Sequence, residues 1–536
     1  MNHKSKYLLL FIILLAFGLR LYGLNWDGGN HLHPDERFLT MVASDIKLPT
    51  SLFQYFSTAA SPLNPGNYPQ YQFFVYGTFP LFLTKYITVL FGLNNYFQIH
   101  FVGRILSALF DTGNIFLLYL LTKKYLAPLL YATTVLPLQL SHFFAVDTFL
   151  AFFIFLTFYL LSQKKYLFSG ISFGLALACK ISALYFLLIV FLFFLYHRKL
   201  SKTFYLPRQL AGFLLFTFLS FRFFQPYAFT SLFSPNPVFI SSLKELKNLS
   251  IPSVYFPPSV QWMSKLKIIF PLQNIIIWGL GLPLTLSLLF LKRNKIKFRH
   301  IEILSLVWII LLLLFQGSQS VFTMRYFLPI CPFIILLLSR LSPPRILIFL
   351  HILFCLAFLS IYSRPHSRVQ ASDWINQNLP SGSVLSTEYW DDALPLGNSR
   401  HFDIQTLEIA SPDTPEKWLK INEQLKTIDY IVLSSNRAWA STTKAPKLFP
   451  QTSIFYQGLF SQKPLIEFNS YPGLNLPFLK SCYYFGPTDK PLDHSWFTVD
   501  NQCLYPGFYF RDDTAEEAFT VYDHPKVLIF RTNRNR

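Results

Sequence analysis

The sequence predicts an α-helical protein that crosses a membrane about eleven times and carries a C-terminal extracytoplasmic domain of α/β or α+β type. Three observations support this fold class. The chain of 536 residues is 52% hydrophobic and only 14% charged, whereas soluble globular chains are roughly a quarter charged. The net charge of +19 divides into +21 over residues 1–363 and −2 over residues 364–536. Strand-like and helix-like segments alternate only in the second part.

Eleven apolar runs account for the predicted transmembrane helices. They lie at 7–24, 101–122, 126–141, 147–162, 166–181, 183–197, 208–224, 272–291, 301–316, 326–340 and 346–362. A helix needs ~20 apolar residues to cross the hydrocarbon core, so the shorter runs indicate a span without fixing its ends. No small-residue cleavage site follows the first run, and we interpret it as a retained helix rather than a signal peptide.

The basic residues set the orientation of these spans. Lys and Arg favour the cytoplasmic ends of transmembrane helices, and here they form clusters at Lys4/Lys6, Lys123/Lys124, Lys164/Lys165, Arg198/Lys199/Lys202, Lys292 to Arg299 and Arg340/Arg345. With a cytoplasmic N-terminus all these clusters fall inside, and the C-terminal domain falls outside the cell membrane. Because the basic residues lie between apolar runs and form no single patch, nucleic acid is not an expected partner.

A long external loop, residues 25–100, follows the first span. It contains one further apolar run at 73–92, which includes Pro80 and Lys85. Counting this run as a span would place most basic clusters outside, so we predict an interfacial or re-entrant helix there. Residues 1–363 then form the transmembrane domain and residues 364–536 the soluble domain.

The soluble domain shows a strand–helix–strand order. Residues 382–386 and 430–434 have the pattern of buried strands, and residues 412–427 that of a helix, which favours an α/β or α+β unit. Cys482 and Cys503 are the pair of cysteines in this domain. A disulfide between them is permitted outside the cytoplasm; two free thiols are the alternative.

The acidic pair Asp35-Glu36 is the first candidate for chemistry. Residues 1–363 hold only 8 carboxylates, and each is costly near a bilayer without water or a partner. The pair lies on the predicted outer side, in His31-Leu32-His33-Pro34-Asp35-Glu36-Arg37. It suits a general base for a hydroxyl or a ligand for a divalent cation. A solvated loop with a helix cap at Asp35 is the alternative.

Asp147 begins the fourth predicted span, again on the outer side, where helix capping would also explain it. Three cations near the outer ends, Lys180, Arg222 and Arg325, oppose the positive-inside tendency. Snorkelling to the interface would explain each one singly. Together with two acidic sites they suit a lipid-linked phosphate as leaving group, because cations neutralise the phosphate and a carboxylate activates the nucleophile.

The order of these motifs resembles that of the GT-C glycosyltransferases that use polyprenyl-phosphate sugars, in particular the family 39 group of protein mannosyltransferases and aminoarabinose transferases. The chain is most similar to bacterial multi-span proteins of that group with a C-terminal domain. The residues that carry the resemblance are His33 to Glu36, His142 to Thr148, Gly170 to Ser182, Arg222 to Phe229, Pro257 to Trp262, Met324 to Pro329, Glu388 to Pro395 and Phe519 to Pro525.

The resemblance implies an inverting hexosyl- or pentosyltransferase with a polyprenyl-phosphate sugar as donor and a glycan, lipid or protein as acceptor. It implies Asp35 as general base, with Glu36 and Asp147 as further catalytic residues. Substrate contacts are expected from His33, Lys180, Arg222, Gln225, Tyr227, Gln261, Trp262, Arg325 and Tyr326. A divalent metal cation on His33, Glu36 or His142 stays open.

Two other classes of protein compete with this interpretation. A transporter or flippase of a lipid-linked glycan would use Asp35 and Asp147 as ion or proton sites, but such sites lie near the bilayer midplane in broken helices. A sensor with an external ligand domain would leave the acidic motif of the first loop unused. The sequence contains no P-loop or G-x-G-x-x-G motif for a nucleotide.

Overall fold

The computed structural model describes residues 3–201, 206–249, 251, 253, 257–263, 265–290, 299–397, 401–470, 472–476, 481–486, 497–500, 507–512 and 514–532. Most described residues of the N-terminal part are helical. Its α-helices are α1 His3–Leu21, α2 Pro34–Asp45, α3 Leu52–Phe56, α4 Thr78–Leu90, α5 Tyr96–Thr122, α6 Leu126–Ala132, α7 Val135–Ser141, α8 Val146–Ser162, α9 Tyr166–Cys179, α10 Leu187–Ser201, α11 Leu206–Phe224, α12 Pro237–Leu249, α13 Pro257–Met263, α14 Ile269–Asn274, α15 Leu282–Thr285, α16 His300–Gly317, α17 Cys331–Arg340 and α18 Arg345–Leu359.

Among the described residues, three helical segments are long and apolar enough to cross a membrane: Tyr96–Thr122, His300–Gly317 and Arg345–Asn378. A fourth span results if Ile269–Gly279 and Leu282–Phe290, which meet at an angle of 106°, are counted together. These segments support a membrane protein, and the count of eleven spans stays a prediction. Helix α4, inside the predicted run 73–92, has 13 residues and is shorter than the ~20 residues that a span needs.

Several predicted spans are broken in the structure. The run 126–141 forms two helices of seven residues each, α6 and α7. Proline clashes with the carbonyl four residues earlier, and Pro137 thereby disfavours a continuous helix through Thr133. The run 326–340 similarly begins as the 3₁₀ segment Met324–Ile330, with Pro329 inside it, before α17. Apolar length alone does not reveal these breaks.

Small residues allow the closest helix contact of the N-terminal part. A Cβ added at Gly170 would lie 2.4 Å from the Phe213 carbonyl oxygen, and one added at Gly174 would lie 2.6 Å from the Thr217 carbonyl oxygen. Spaced four residues apart on α9, the two glycines let α11 approach backbone to backbone, as small residues do between membrane helices. This contact fixes the end of α9, which Lys180 follows directly.

The C-terminal part contains two sheets and five helices among its described residues. The helices are α19 Ser367–Asn378, α20 Pro415–Thr427, α21 Arg437–Thr442, α22 Pro450–Phe460 and α23 Glu517–Thr520. The strands are β1 Val384–Glu388, β2 Asp403–Leu407, β3 Tyr430–Leu433, β4 Ile466–Phe468, β5 Gly473–Leu476, β6 Ser481–Gly486, β7 Phe497–Asp500, β8 Gly507–Arg511 and β9 Val527–Arg531.

The larger sheet has the order β2-β1-β3-β9-β4, with β1 parallel to both β2 and β3 and with antiparallel pairs at β9. Alternate residues of β3 and β9 enter two separate cores, because successive strand residues point to opposite faces. The predicted strands and helix are observed as β1, α20 and β3, and β2, which was not predicted, lies between β1 and α20. The smaller sheet, β5-β6-β8-β7, was not predicted.

The predicted domain boundary after residue 363 follows a 3₁₀ turn at Ser360–Ser363. The chain later crosses this division, since Phe519 lies in the same hydrophobic core as the N-terminal helices and packs against Trp278 and Phe358. Cys503 lies outside the described residues, so the Cys482–Cys503 disulfide stays a prediction.

Candidate active site

The start of α2 holds the acidic pair in place. The His33 side chain caps the helix by accepting a hydrogen bond from the Glu36 N–H at 3.4 Å, and Pro34 is the first helical residue. Proline suits the first helical position, and carboxylates in the first turn are favoured by the helix dipole. Because Asp35 and Glu36 are consecutive, their side chains point in different directions, and they meet different partners.

Asp35 faces Arg325. Its Oδ2 accepts a hydrogen bond from Arg325 Nη1 at 2.5 Å, and the two side chains are 13% and 17% exposed. Burial raises the pKa of the Asp35 carboxyl, but the Arg325 guanidinium, with His33 and Lys180, more than offsets burial and brings this pKa to about 2. The resting site therefore holds an ionised carboxylate that water can still reach.

A second ion pair, between Lys180 and Asp147, lies beside the first, and cations of both pairs contact the Tyr326 ring. Lys180 Nζ lies 3.0 Å from Asp147 Oδ1 and 4.2 Å from the centroid of the Tyr326 ring. The Arg325 guanidinium carbon lies 5.5 Å from the same centroid. We call these five residues the Asp35 cluster. They come from α2, the first turn of α8, the end of α9 and the 3₁₀ segment before α17.

Two buried polar atoms beside the Asp35 cluster have no hydrogen-bond partner among the described residues: Asp147 Oδ2 and His33 Nε2. The His33 ring lies between Phe143 and Tyr522, with centroid distances of 4.4 and 4.5 Å. Unpaired buried polar groups cost free energy unless a water or a ligand completes their hydrogen bonds.

Glu36 has different partners. Its Oε2 accepts hydrogen bonds from Arg104 Nε at 2.9 Å and from the Phe144 N–H at 2.8 Å, and its Oε1 from Arg104 Nη2 at 2.5 Å. Arg104 also pairs with Asp27 at 2.9 Å, and the three charged side chains are 0% exposed. We call Asp27, Glu36 and Arg104 the Glu36 cluster. It joins the first loop to α5, and its carboxylates point away from water.

Three residues predicted to contact substrate, Arg222, Gln225 and Tyr227, lie instead where the first loop packs on the end of α11. Gln225 Oε1 accepts a hydrogen bond from the Thr78 N–H at 2.6 Å, and the Tyr227 hydroxyl bonds the Ser61 hydroxyl at 2.7 Å. The Arg222 guanidinium lies 5.0 Å from the Phe56 ring centroid and donates to the Pro226 carbonyl oxygen. In the described part of the chain, none of these contacts joins the Asp35 cluster.

Gln261 and Trp262 lie in α13, beside the C-terminal part. Gln261 Nε2 donates to Glu517 Oε2 at 2.6 Å. Trp262 is buried, and its ring centroid lies 4.9 Å from that of Phe322. The predicted contacts of these two residues with substrate stay predictions.

The residues named for a divalent cation do not fit one as a set. The ring nitrogens of His142 lie 2.8 Å from the Leu138 carbonyl oxygen and 3.0 Å from the Tyr22 carbonyl oxygen. Glu36 is held by Arg104, and His33 uses the lone pair of Nδ1 to accept the Glu36 N–H, which leaves the proton on Nε2. Within the described ranges no group of three or more His, Cys, Asp or Glu side chains could hold a metal ion.

The C-terminal part supplies residues that sequence reasoning did not place at the site. Glu516 accepts hydrogen bonds from the Thr323 hydroxyl and the Met324 N–H, both at 2.7 Å, directly before Arg325. Burial raises the pKa of Glu516 to about 7. Tyr522 packs on His33, and it lies in the segment Phe519 to Pro525, whose motif was the available signal.

No family model and no curated protein matches the chain. Its structure is similar to that of ArnT from Cupriavidus metallidurans bound to undecaprenyl phosphate, with 14% identity and a TM-score of 0.45, over 86% of this chain and 76% of that chain. It is also similar to an Archaeoglobus fulgidus oligosaccharyltransferase tethered with an acceptor peptide, with 14% identity and a TM-score of 0.47, over 84% and 72% of the two chains. Both TM-scores are below 0.5.

Proposed function

We propose that the protein is an integral-membrane glycosyltransferase that moves a monosaccharide from a polyprenyl-phosphate carrier to an acceptor hydroxyl on the extracytoplasmic side. The Asp35 cluster is the observation that carries the proposal. Two carboxylates and two cations from four distant segments meet around Tyr326, partly open to water. A phosphate leaving group needs cations, and a hydroxyl nucleophile needs a base.

In this mechanism the donor phosphate takes over Arg325 and Lys180. Each cation now holds a carboxylate, and a phosphodiester oxygen offers the same charge and hydrogen-bond geometry. As Arg325 turns to the phosphate, Asp35 loses the interaction that keeps its pKa at about 2, and it becomes a stronger base. Donor binding thereby prepares the site for the acceptor.

The chemical step is a single displacement. Asp35 takes the proton of the acceptor hydroxyl, and the oxygen attacks the anomeric carbon from the side opposite the phosphate. The bond between that carbon and the phosphate oxygen breaks, and polyprenyl phosphate leaves with its charge held by Arg325 and Lys180. The anomeric configuration is inverted, and the proton remains on Asp35 until water removes it.

Transport of a lipid-linked glycan is less well supported. The pair Ile269–Gly279 and Leu282–Phe290, bent by 106°, is the sharply bent span found among the described helices, and it carries no Asp or Glu. Ion-coupled transporters place acidic residues at such breaks, whereas Asp35 and Asp147 begin helices.

The proposal is tested with membranes that contain the protein and a panel of radiolabelled polyprenyl-phosphate sugars. We expect release of polyprenyl phosphate from at least one donor, at a rate that depends on the protein. Membranes from cells without the gene are the control. Movement of the intact lipid-linked sugar across the bilayer without release would favour the transporter, and neither release nor movement would contradict the proposal.

A further inference from the structure

A shallow, open cleft lies at the carboxyl ends of β1 and β3 in the larger sheet. Its walls are the last residue of β1, Glu388, the residues that follow it to Asp391, and α21, which follows β3. Val260 of α13 closes one side. Strand β1 pairs in parallel with β2 on one flank and with β3 on the other. The chain therefore passes from β1 to one side of the sheet and then returns to the other side, which makes a topological switch point between β1 and β3. Open α/β sheets bind ligands at such points, outside the carboxyl ends of the strands.

The buried carboxyl of Glu388 is unusual for a cleft wall that has no role in binding. It is 3% exposed, and its Oε1 accepts a hydrogen bond from the Tyr456 hydroxyl. Its Oε2 is buried and has no partner among the described residues. Burial raises the pKa of Glu388 to about 8, which leaves the carboxyl able to donate as well as accept a hydrogen bond.

Two aromatic residues stand beside this carboxyl. Tyr389 and Trp390 are each 41% exposed, and their ring centroids lie 5.3 Å apart. Trp390 has a φ of 75°, a conformation that is strained for a bulky side chain. Arg437 donates a hydrogen bond to the Trp390 carbonyl oxygen, and this contact holds the strained backbone that presents the ring.

These features match the needs of a sugar ring. The C–H face of a pyranose packs on aromatic faces, and its hydroxyls take both donors and acceptors from fixed polar groups. A second open groove, which shares Arg437 and Ser441 with the cleft and is lined by Lys265, lies beside it.

We propose that the cleft formed by Glu388, Tyr389, Trp390 and Arg437 binds a saccharide, which is the acceptor if the proposed function holds. Short connections link this cleft to the Asp35 cluster. Arg437 pairs with Glu517 at 2.5 Å, and the preceding residue, Glu516, binds the Met324 N–H directly before Arg325. The acceptor class is then a glycan or glycolipid rather than a protein.

The test is saturation-transfer NMR on the full-length protein in nanodiscs. The probes are the methyl pyranosides of glucose, mannose, galactose, N-acetylglucosamine and arabinose, with sorbitol as an acyclic polyol control. We expect saturation transfer to at least one pyranoside and none to sorbitol. No donor and no turnover are needed, so a failure of the proposed function leaves this readout intact, and the binding should persist in Asp35→Asn.

The variants Tyr389→Ala and Trp390→Gly should weaken that binding at least tenfold, and Trp390→Phe should largely preserve it. Glycine adopts a φ of 75° without strain, so Trp390→Gly removes the ring and leaves the backbone relaxed. Leu419→Ala, at a side chain that is 68% exposed and outside the cleft, is the matched control. Saturation transfer to no pyranoside, or undiminished transfer in both Tyr389→Ala and Trp390→Gly, would overturn the proposal.

Discussion

Two consecutive carboxylates of α2 belong to two different kinds of ion-pair cluster. Asp35 meets Arg325 in the Asp35 cluster, where the paired side chains are 13% and 17% exposed. Glu36 meets Arg104 in the Glu36 cluster, where both side chains are 0% exposed. Each carboxylate is held by an arginine at 2.5 Å, but Glu36 accepts a second bond from Arg104 and one from the Phe144 N–H.

The two clusters differ in how easily water and ligands can reach them. A ligand can compete for Arg325, because water already reaches that pair and neighbouring polar atoms of His33 and Asp147 have no partner within the described structure. Nothing can compete for Arg104 without opening the packing between the first loop and α5. We infer that the Asp35 cluster serves chemistry and the Glu36 cluster serves folding.

The largest expected effect is that of Asp35→Asn. This change keeps the shape and removes the base, so turnover of the lipid-linked sugar should fall by about two to four orders of magnitude, while the midpoint of thermal unfolding stays close to that of the wild type. Asp45→Asn, at an exposed carboxylate of the same helix, is the control and should transfer sugar normally. Full turnover by a folded Asp35→Asn protein would show that Asp35 is not the base.

Glu36→Gln should act mainly on stability. Within the described residues it leaves Arg104 with Asp27 as its charged partner, and breaking a buried ion pair costs roughly 3–5 kcal/mol. Unfolding in detergent, followed by heat or denaturant, should show this loss, and the folded fraction should retain most of its turnover. A protein as stable as the wild type but inactive would instead place Glu36 in the chemistry.

Arg325→Ala should weaken donor binding. Hydrogen bonds to charged groups contribute about 1.5–3 kcal/mol, which corresponds to a rise in the KM for the donor of roughly ten- to a hundredfold. Initial rates over a range of donor concentrations measure this effect, and an unchanged KM would remove Arg325 from phosphate binding. The KM for the acceptor serves as internal reference and should change less.

Arg222→Ala should have the smallest effect. Although the resemblance implies a substrate contact, the Arg222 guanidinium packs on Phe56 and Phe229 and not on the Asp35 cluster. We expect the donor KM to change less than about threefold, since a distant charge is screened. A rise in the donor KM as large as that of Arg325→Ala would show that Arg222 also binds the donor phosphate. The two regions would then not differ in donor binding.

Sequence reasoning found much of the Asp35 cluster because charge is rare in this part of the chain. Asp35, Asp147, Lys180 and Arg325 all stood out as costly residues on one face of the membrane. That these residues are predicted on the same side of the membrane does not tell which of them lie next to each other in the helix bundle. That is why Arg222 was grouped with Arg325 although it lies where the first loop packs.

The ion pair of Glu36 could not be predicted for a related reason. Its partner Arg104 lies 68 residues away, inside an apolar helix, and no local pattern connects the two. The strands β1 and β3 were predicted because they are apolar and buried. The smaller sheet was not predicted, although β5 pairs with β6 and β7 with β8, its neighbours along the chain; strand propensity depends on tertiary context.

The central claim is that the donor phosphate takes Arg325 from Asp35 and thereby frees the base. The most direct test is the pH dependence of kcat and of kcat/KM for the donor, measured on the same preparation from pH 3.5 to 8.

The base acts when ionised, so activity is lost as pH falls through its pKa. Because kcat/KM reports the free enzyme, where the pKa of Asp35 is about 2, it should stay level down to pH 4. The parameter kcat reports the donor complex, and it should decline near the ordinary aspartate pKa of about 4. Profiles of kcat and kcat/KM that fall together, at any pH in this range, would contradict the transfer of Arg325.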